Sequence, residues 1–286
     1  MSDSPAELLD DLRQLRRKVR QDRHGHAFPL LLFAGLILVA PVLYGSDPWP
    51  TMSPDGRHVL IERGPFEVFE RPWVRWGGSN VLIQWYWMLG LVTCFAASAW
   101  WYRRRADVAG IETDTRGYLT VAGAALVGMV FGERLLSHIV SATLDTSLYS
   151  RPEINLPIMI GAVALSGTAI FAGTRWRRLR VIGVFAAALS AMVAFATIAV
   201  YMINGLAGLL IIAVALLALA WAERSLLIAV TGVLFTAVSL HANLQGVGLL
   251  VGSSDTRLIA LMDVAPPAAV LIIGGVIALV QSRRAA

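Results

Sequence analysis

Long uncharged stretches alternate with short segments that hold nearly all the charge along these 286 residues. A helix that crosses a bilayer needs roughly 20 mostly apolar residues. The pattern predicts such stretches at about 27–45, 81–102, 117–136, 155–174, 181–202, 204–222, 225–241 and 264–281. The third is the weakest, because Glu133 and Arg134 follow only 16 uncharged residues from Gly117. The run from Val181 to Ala222 has no charge in 42 residues, which suits two helices joined by a tight turn at Asn204-Gly205. The run from Ser225 to Ser254, with 30 uncharged residues, is too short for two crossings. Its Gly-rich part from Leu240 to Gly252 is expected to lie at the outer surface or to re-enter. The pattern therefore predicts an all-α membrane protein, a bundle of about eight transmembrane helices. No Asp, Glu, Lys or Arg falls near the middle of any stretch, which lowers the expectation of a proton-coupled pump.

Composition sharpens this picture. Only 15% of residues are charged and the mean hydropathy is +0.66, whereas a soluble domain carries about 25% charged residues. The net charge is +5, and 23 of the 24 basic residues are Arg. They flank the apolar stretches, so orientation in the membrane accounts for them better than a nucleic-acid partner does. With the N-terminus inside, 17 basic residues fall in cytoplasmic segments and 7 in external ones. Both termini are then cytoplasmic, as an even number of crossings requires. Trp49, Trp73, Trp76, Trp85 and Trp87 fall at the outer boundary, and Trp100, Trp101, Trp176 and Trp221 at the inner one. Indole prefers that interface because its ring is apolar and its N–H is wet. The single cysteine, Cys94, allows no intramolecular disulfide and no Cys-based metal motif. The apolar stretch from Ala27 to Tyr44 follows 26 residues and is longer than a signal-peptide core of about 7–15 residues, so it reads as an anchor.

Two segments are expected outside the bilayer. Residues 1–26 form a cytoplasmic region ahead of the 27–286 transmembrane domain, and residues 4–21 within it read as an amphipathic helix. Ser4-Pro5-Ala6-Glu7 is a capping-box signature, and Leu8, Leu12, Leu15 and Val19 form one stripe. Such a helix either lies on the lipid surface of the inner leaflet or docks a cytoplasmic protein partner. Residues 45–80 form the sizeable external loop. There Ser53-Pro54-Asp55-Gly56 reads as a turn, and Arg57–Glu62 and Phe66–Glu70 read as strands of a short β-hairpin-like loop. A lone hairpin is marginal in water, so it is expected to rest on the helix ends with its Phe and Trp residues inward.

Candidate chemistry is sparse. No Walker A loop, Rossmann glycine pattern, HExxH or GxSxG motif is present, no nucleic-acid module is recognisable, and no cofactor is implied. One constellation stands out. Glu133, His138, Asp145 and His241 are expected on the external side, and Glu133, His138 and His241 supply the donor types of a zinc site. Glu133 and His138 are five residues apart, so on one helix they point about 140° apart and converge only if it ends or bends between them. Arg134 shares the His138 face and disfavours a second cation. The alternative is that Glu133 pairs with a loop Arg and the histidines are interfacial. Gly128-x-x-x-Gly132 and Gly248-x-x-x-Gly252 have the spacing that lets helices approach closely, and the first reads as a packing face.

Asp22-Arg23-His24 followed by Phe28-Pro29-Leu30-Leu31-Leu32-Phe33, after an Arg-rich helix, resembles the start of uncharacterised multi-span integral membrane proteins of high-GC actinobacteria. That group has no established activity to carry over. The leading expectation is a non-enzymatic accessory or sensory membrane protein. A small-molecule transporter or permease subunit is the second reading, and an outward-facing membrane hydrolase the third.

Overall fold

The computed structural model describes residues 26–43, 66–69, 81–109, 115–144, 152–176, 180–199, 206–223, 225–244 and 256–285. Among them, 97% are helical and none lies in a strand. The elements in order are α1 (Ala27–Leu43), a 3-10 turn (Glu67–Phe69), α2 (Val81–Ala109) and α3 (Thr115–Val127). A π turn (Gly128–Gly132) follows, then α4 (Glu133–Leu144), α5 (Pro152–Arg175), α6 (Arg180–Ala199), α7 (Ala207–Glu223), α8 (Leu226–Leu244) and α9 (Thr256–Ala285). Among the described residues, four helices contain stretches long and apolar enough to cross a membrane: Val81–Arg105, Glu153–Gly173, Leu226–Leu244 and Arg257–Arg283. Ala27–Leu43, Tyr118–Gly132, Leu189–Ile198 and Ala207–Trp221 are shorter apolar helices.

Two expectations change. The strand expected over Phe66–Glu70 is instead a 3-10 turn at Glu67–Phe69, closed by Phe69 N–H donating to the Phe66 carbonyl at 3.1 Å. In a 3-10 helix, residues three apart eclipse one another. Phe66 and Phe69 therefore share one face, which a strand would not give them. The rest of the expected hairpin, the 4–21 helix and the 245–255 segment with its Gly248-x-x-x-Gly252 pattern lie outside the described residues. The last helix also begins earlier than residue 264 and brings Asp263 inside an apolar, helical stretch.

Helix α7 occupies the centre. Every residue from Leu206 to Leu216 except Val214 is buried, because α2, α3 and α8 all pack against it. Its sequence from Ala207 to Ala222 contains no ionisable or hydrogen-bonding side chain except Trp221. Around it, α1 lies between α2 and α9, and α9 also packs on α8. Association of apolar helices in lipid is driven by close packing and polar glue, since lipid tails are as apolar as leucine. Both devices are visible. A Cβ added to Gly208 would come 2.5 Å from the Trp87 ring, and one added to Gly275 would come 2.8 Å from Leu31. Asn243 bridges α8 to the start of α7: its Oδ1 accepts from Leu206 N–H at 3.2 Å, and its Nδ2 donates to the Leu206 carbonyl at 3.2 Å.

That bridge satisfies backbone groups at a helix start, where the first N–H groups lack helical partners. Asn243→Ala is expected to cost about 1–3 kcal/mol, the penalty for leaving buried polar groups unmet. Thermal unfolding in detergent checks this, and an unchanged midpoint would show that the bridge adds nothing.

Helices α5 and α6 form a separate hairpin on the flank. Asn155 Nδ2 donates to the Thr197 carbonyl at 3.3 Å, the Ser166 and Ser190 hydroxyls meet at 2.8 Å, and Gly183 lies against Ala169 and Gly173. The other side of α6 receives the π turn: Gly128 packs on Met192 and Phe195, and Gly132 on Ala196. The Gly128-x-x-x-Gly132 pattern is thus a packing face within the bundle. Only 6% of the α5 span is buried, against 39% to 44% of the other three long spans.

Candidate functional site

Where the 66–69 segment meets the bundle, its two phenylalanines pack on α2 and the π turn. The 3-10 turn inserts Phe69, which is fully buried and stacks on Trp87 with ring centroids 6.4 Å apart. Phe66 packs edge-on against Trp85 at 5.1 Å and Phe131 of the π turn at 6.2 Å. Its backbone N–H donates to Gln84 Oε1 at 2.9 Å in a buried setting. Trp87 in turn fills the space that Gly208 leaves open at the start of α7. A continuous line of contacts therefore runs from the loop turn, through Trp87, to the central helix.

Burial holds Phe66 and Phe69 in place. Left in water, each would expose a large ring, and burial of such a side chain is worth about 1.5–3 kcal/mol. An aromatic pair adds about 0.5–1.5 kcal/mol. The sequence signal for this arrangement is the Phe66 to Phe69 spacing of three, preceded by Pro65, which is helical and not alternating. Gln84 and Trp87 have no signal of their own, because their roles depend on which helix faces them.

A second polar group lies toward the other end of α2. His26 Nδ1 and the Tyr102 hydroxyl share a hydrogen bond at 3.2 Å. Glu223 at the end of α7 and Arg105 lie within electrostatic range of Tyr102. The Ser98 and Tyr118 hydroxyls face each other across α2 and α3, but neither reaches hydrogen-bond geometry. Phe28 stacks on Trp101 at 4.7 Å, and the Arg105 guanidinium lies 5.4 Å from the Trp101 ring centroid. This end carries the Arg103-Arg104-Arg105 run, all three exposed.

The residues expected at a zinc site are placed as follows. Glu133 and His138 both lie on α4, which runs without a break from Glu133 to Leu144. The third helical stretch thus does not end near Leu136, and no break between positions 133 and 138 removes the roughly 140° that five helical residues put between them. The Glu133 side chain is outside the described set. His138 is exposed on α4, which packs along α6, and His241 is exposed on α8, which packs along α7 and α9. Among the described residues, no three His, Cys, Asp or Glu side chains come together as metal ligands. Asp145 lies outside them.

One residue that the hydrophobic pattern set outside the last span matters more. Asp263 on α9 is only 2% exposed and falls within the apolar stretch Arg257–Arg283. The expected span began at 264, just after this charged residue, so its start excluded Asp263.

The chain matches no protein-family model, no curated protein and no solved structure.

Proposed function

We propose that the chain is a multi-pass cell-membrane protein of eight spans with both termini cytoplasmic. In this reading it works as a sensory or accessory component without enzymatic activity. The supporting observation is the line from Phe69 through Trp87 to Gly208. It gives a segment outside the bilayer a packed route to the innermost helix, as a sensor needs. The permease reading is less well supported, because the centre of the bundle is filled by an apolar helix where a solute path would need polar lining. The hydrolase reading depends on Glu133, His138 and His241 acting together.

Two measurements test this. Reporter fusions after residues 60 and 150 should report the outside, and fusions after 110, 178 and 286 the inside. An external C-terminus would overturn the topology. Hydrogen exchange on Phe69→Ala should then show faster exchange in the first turns of α7 as well as in the loop. Acceleration confined to residues near 69 would mean that the loop does not communicate with the core, and the sensory reading would fail.

A further inference from the structure

Helix α2 is longer than a bilayer crossing needs. The stretch Val81–Arg105 has 25 residues. At 1.5 Å per residue it extends about 37 Å, against about 30 Å for the hydrocarbon core of a bilayer. Its last turn therefore reaches past that core to the level of the lipid phosphates. Trp100 and Trp101 then fall at the boundary that indole favours.

The outward face of this helix suits a lipid along its length. Leu91, Cys94, Ser98 and Tyr102 are buried and follow one face. On the other side Leu89, Val92, Ala96 and Trp100 are exposed at spacings of three and four, which makes them one stripe. Ten helical residues span about 15 Å, half the hydrocarbon core. The stripe from Leu89 to Trp100 covers roughly that depth with apolar side chains.

The stripe ends on clamped cations, which is an independent observation. The Arg104 guanidinium lies over the Trp100 ring, 5.3 Å from its centroid, and the Arg105 guanidinium lies over the Trp101 ring at 5.4 Å. Trp101 is itself fixed by Phe28 of α1, stacked on it at 4.7 Å. A guanidinium that rests its face on a ring still presents N–H donors at its edge, in the fork that matches a phosphate. Two such cations, adjacent in sequence, are thus held at phosphate depth.

Charge decides the class of lipid. Residues 103–109 hold three Arg and one acid, Asp107. Glu223 is also at this end, within electrostatic range of the buried Tyr102, which lies about 160° round the helix from Arg104. The exposed tip is therefore cationic. The ammonium of a zwitterionic headgroup would enter a field of its own sign there, whereas an anionic headgroup brings no such repulsion.

We propose that Trp100, Arg104 and Arg105 form a binding site for the phosphate of an anionic membrane phospholipid, whose acyl chains lie along Leu89, Val92 and Ala96. The inference rests on the membrane part of the reading above and not on the sensory part.

The test uses the full-length protein. Its retention in membranes after an alkaline carbonate wash comes first. A protein that washes off would sink the membrane reading, and the lipid site with it. Thermal unfolding in detergent is then followed with added phosphatidylglycerol or phosphatidylcholine of identical acyl chains, and with inorganic phosphate alone. A saturable rise in melting temperature with phosphatidylglycerol, well above that with phosphatidylcholine, is expected. An Arg near the membrane surface is worth about fivefold in affinity for anionic lipid. Arg104→Gln should therefore raise the half-saturating lipid concentration by about that factor. Trp100→Leu stays apolar but releases the guanidinium, and should shift it the same way. Arg283→Gln, at an exposed position near the end of α9, should leave it unchanged. A protein that stays embedded yet responds equally to the two lipids would overturn the lipid site alone. So would an equal shift in Arg283→Gln, because the attraction would then be diffuse. A full response to inorganic phosphate would also overturn it, because the site would then take a free anion.

Discussion

Truncating Trp87 to alanine is expected to destabilise the protein by about 3–5 kcal/mol, the range for removing a buried large aromatic side chain. Trp87 is fully buried and touches three elements at once: Phe69 of the loop turn, Tyr86 of its own helix and Gly208 of the central helix. The glycine cannot move in to fill the void, because the backbone of α7 is held by α3 and α8 on its other sides. Two effects should appear together. The midpoint of thermal unfolding in detergent should fall, and protease should cut the segment around Phe66–Phe69 faster, because Phe69 loses the ring it stacks on. A loss below about 1 kcal/mol, the cost of an ordinary point substitution, would mean that Trp87 is not the junction described above.

Glycine substitutions should have opposite signs at two kinds of position. At Gly128 an added Cβ would lie 2.8 Å from the Met192 carbonyl oxygen and 2.9 Å from its Cα. Those are backbone atoms of α6 and cannot rotate away. Gly128→Ala is therefore expected to cost about 1–3 kcal/mol, as overpacking does, and Gly128→Val more. At Gly167 on α5 an added Cβ meets nothing within 4 Å. There Gly167→Ala removes only the flexibility of glycine and should gain up to about 1 kcal/mol. Thermal unfolding of both variants, side by side, checks the pair. A stable Gly128→Ala would mean that the π turn does not press on α6. A destabilised Gly167→Ala would mean that another surface covers that face of α5.

The helices were legible because twenty apolar residues in a row leave little choice of structure. The Gly128-x-x-x-Gly132 face was legible for a related reason: only glycine at that spacing admits a second backbone so closely. What the pattern could not supply was partnership. Trp87 was read as an interfacial tryptophan from its place near the end of a span, whereas the loop turn and α7 cover it completely. Phe66 and Phe69 were assigned to a strand, since short aromatic runs bounded by Pro and Gly suit either structure until the face they bury is known. The start of the last helix was set too late because the hydropathy pattern stopped at the charged Asp263, which the helix carries in a buried position. For His138 and His241, spacing along the chain carried no information about which helices flank them.

Chain order adds a consequence for synthesis. The helix at the centre of the bundle is α7, made only after α1 to α6 have emerged, and the packing partner of α1 along its length is α9, the last helix of all. Until residue 223 is made, the faces of α2 and α3 that will hold α7 have nothing to close on. Until α9 is complete, α1 lacks the neighbour that packs most extensively on it. The growing chain must therefore be kept apart from other unfinished chains for most of its translation. The flank hairpin α5–α6 is different, because its two helices meet each other as soon as the second appears.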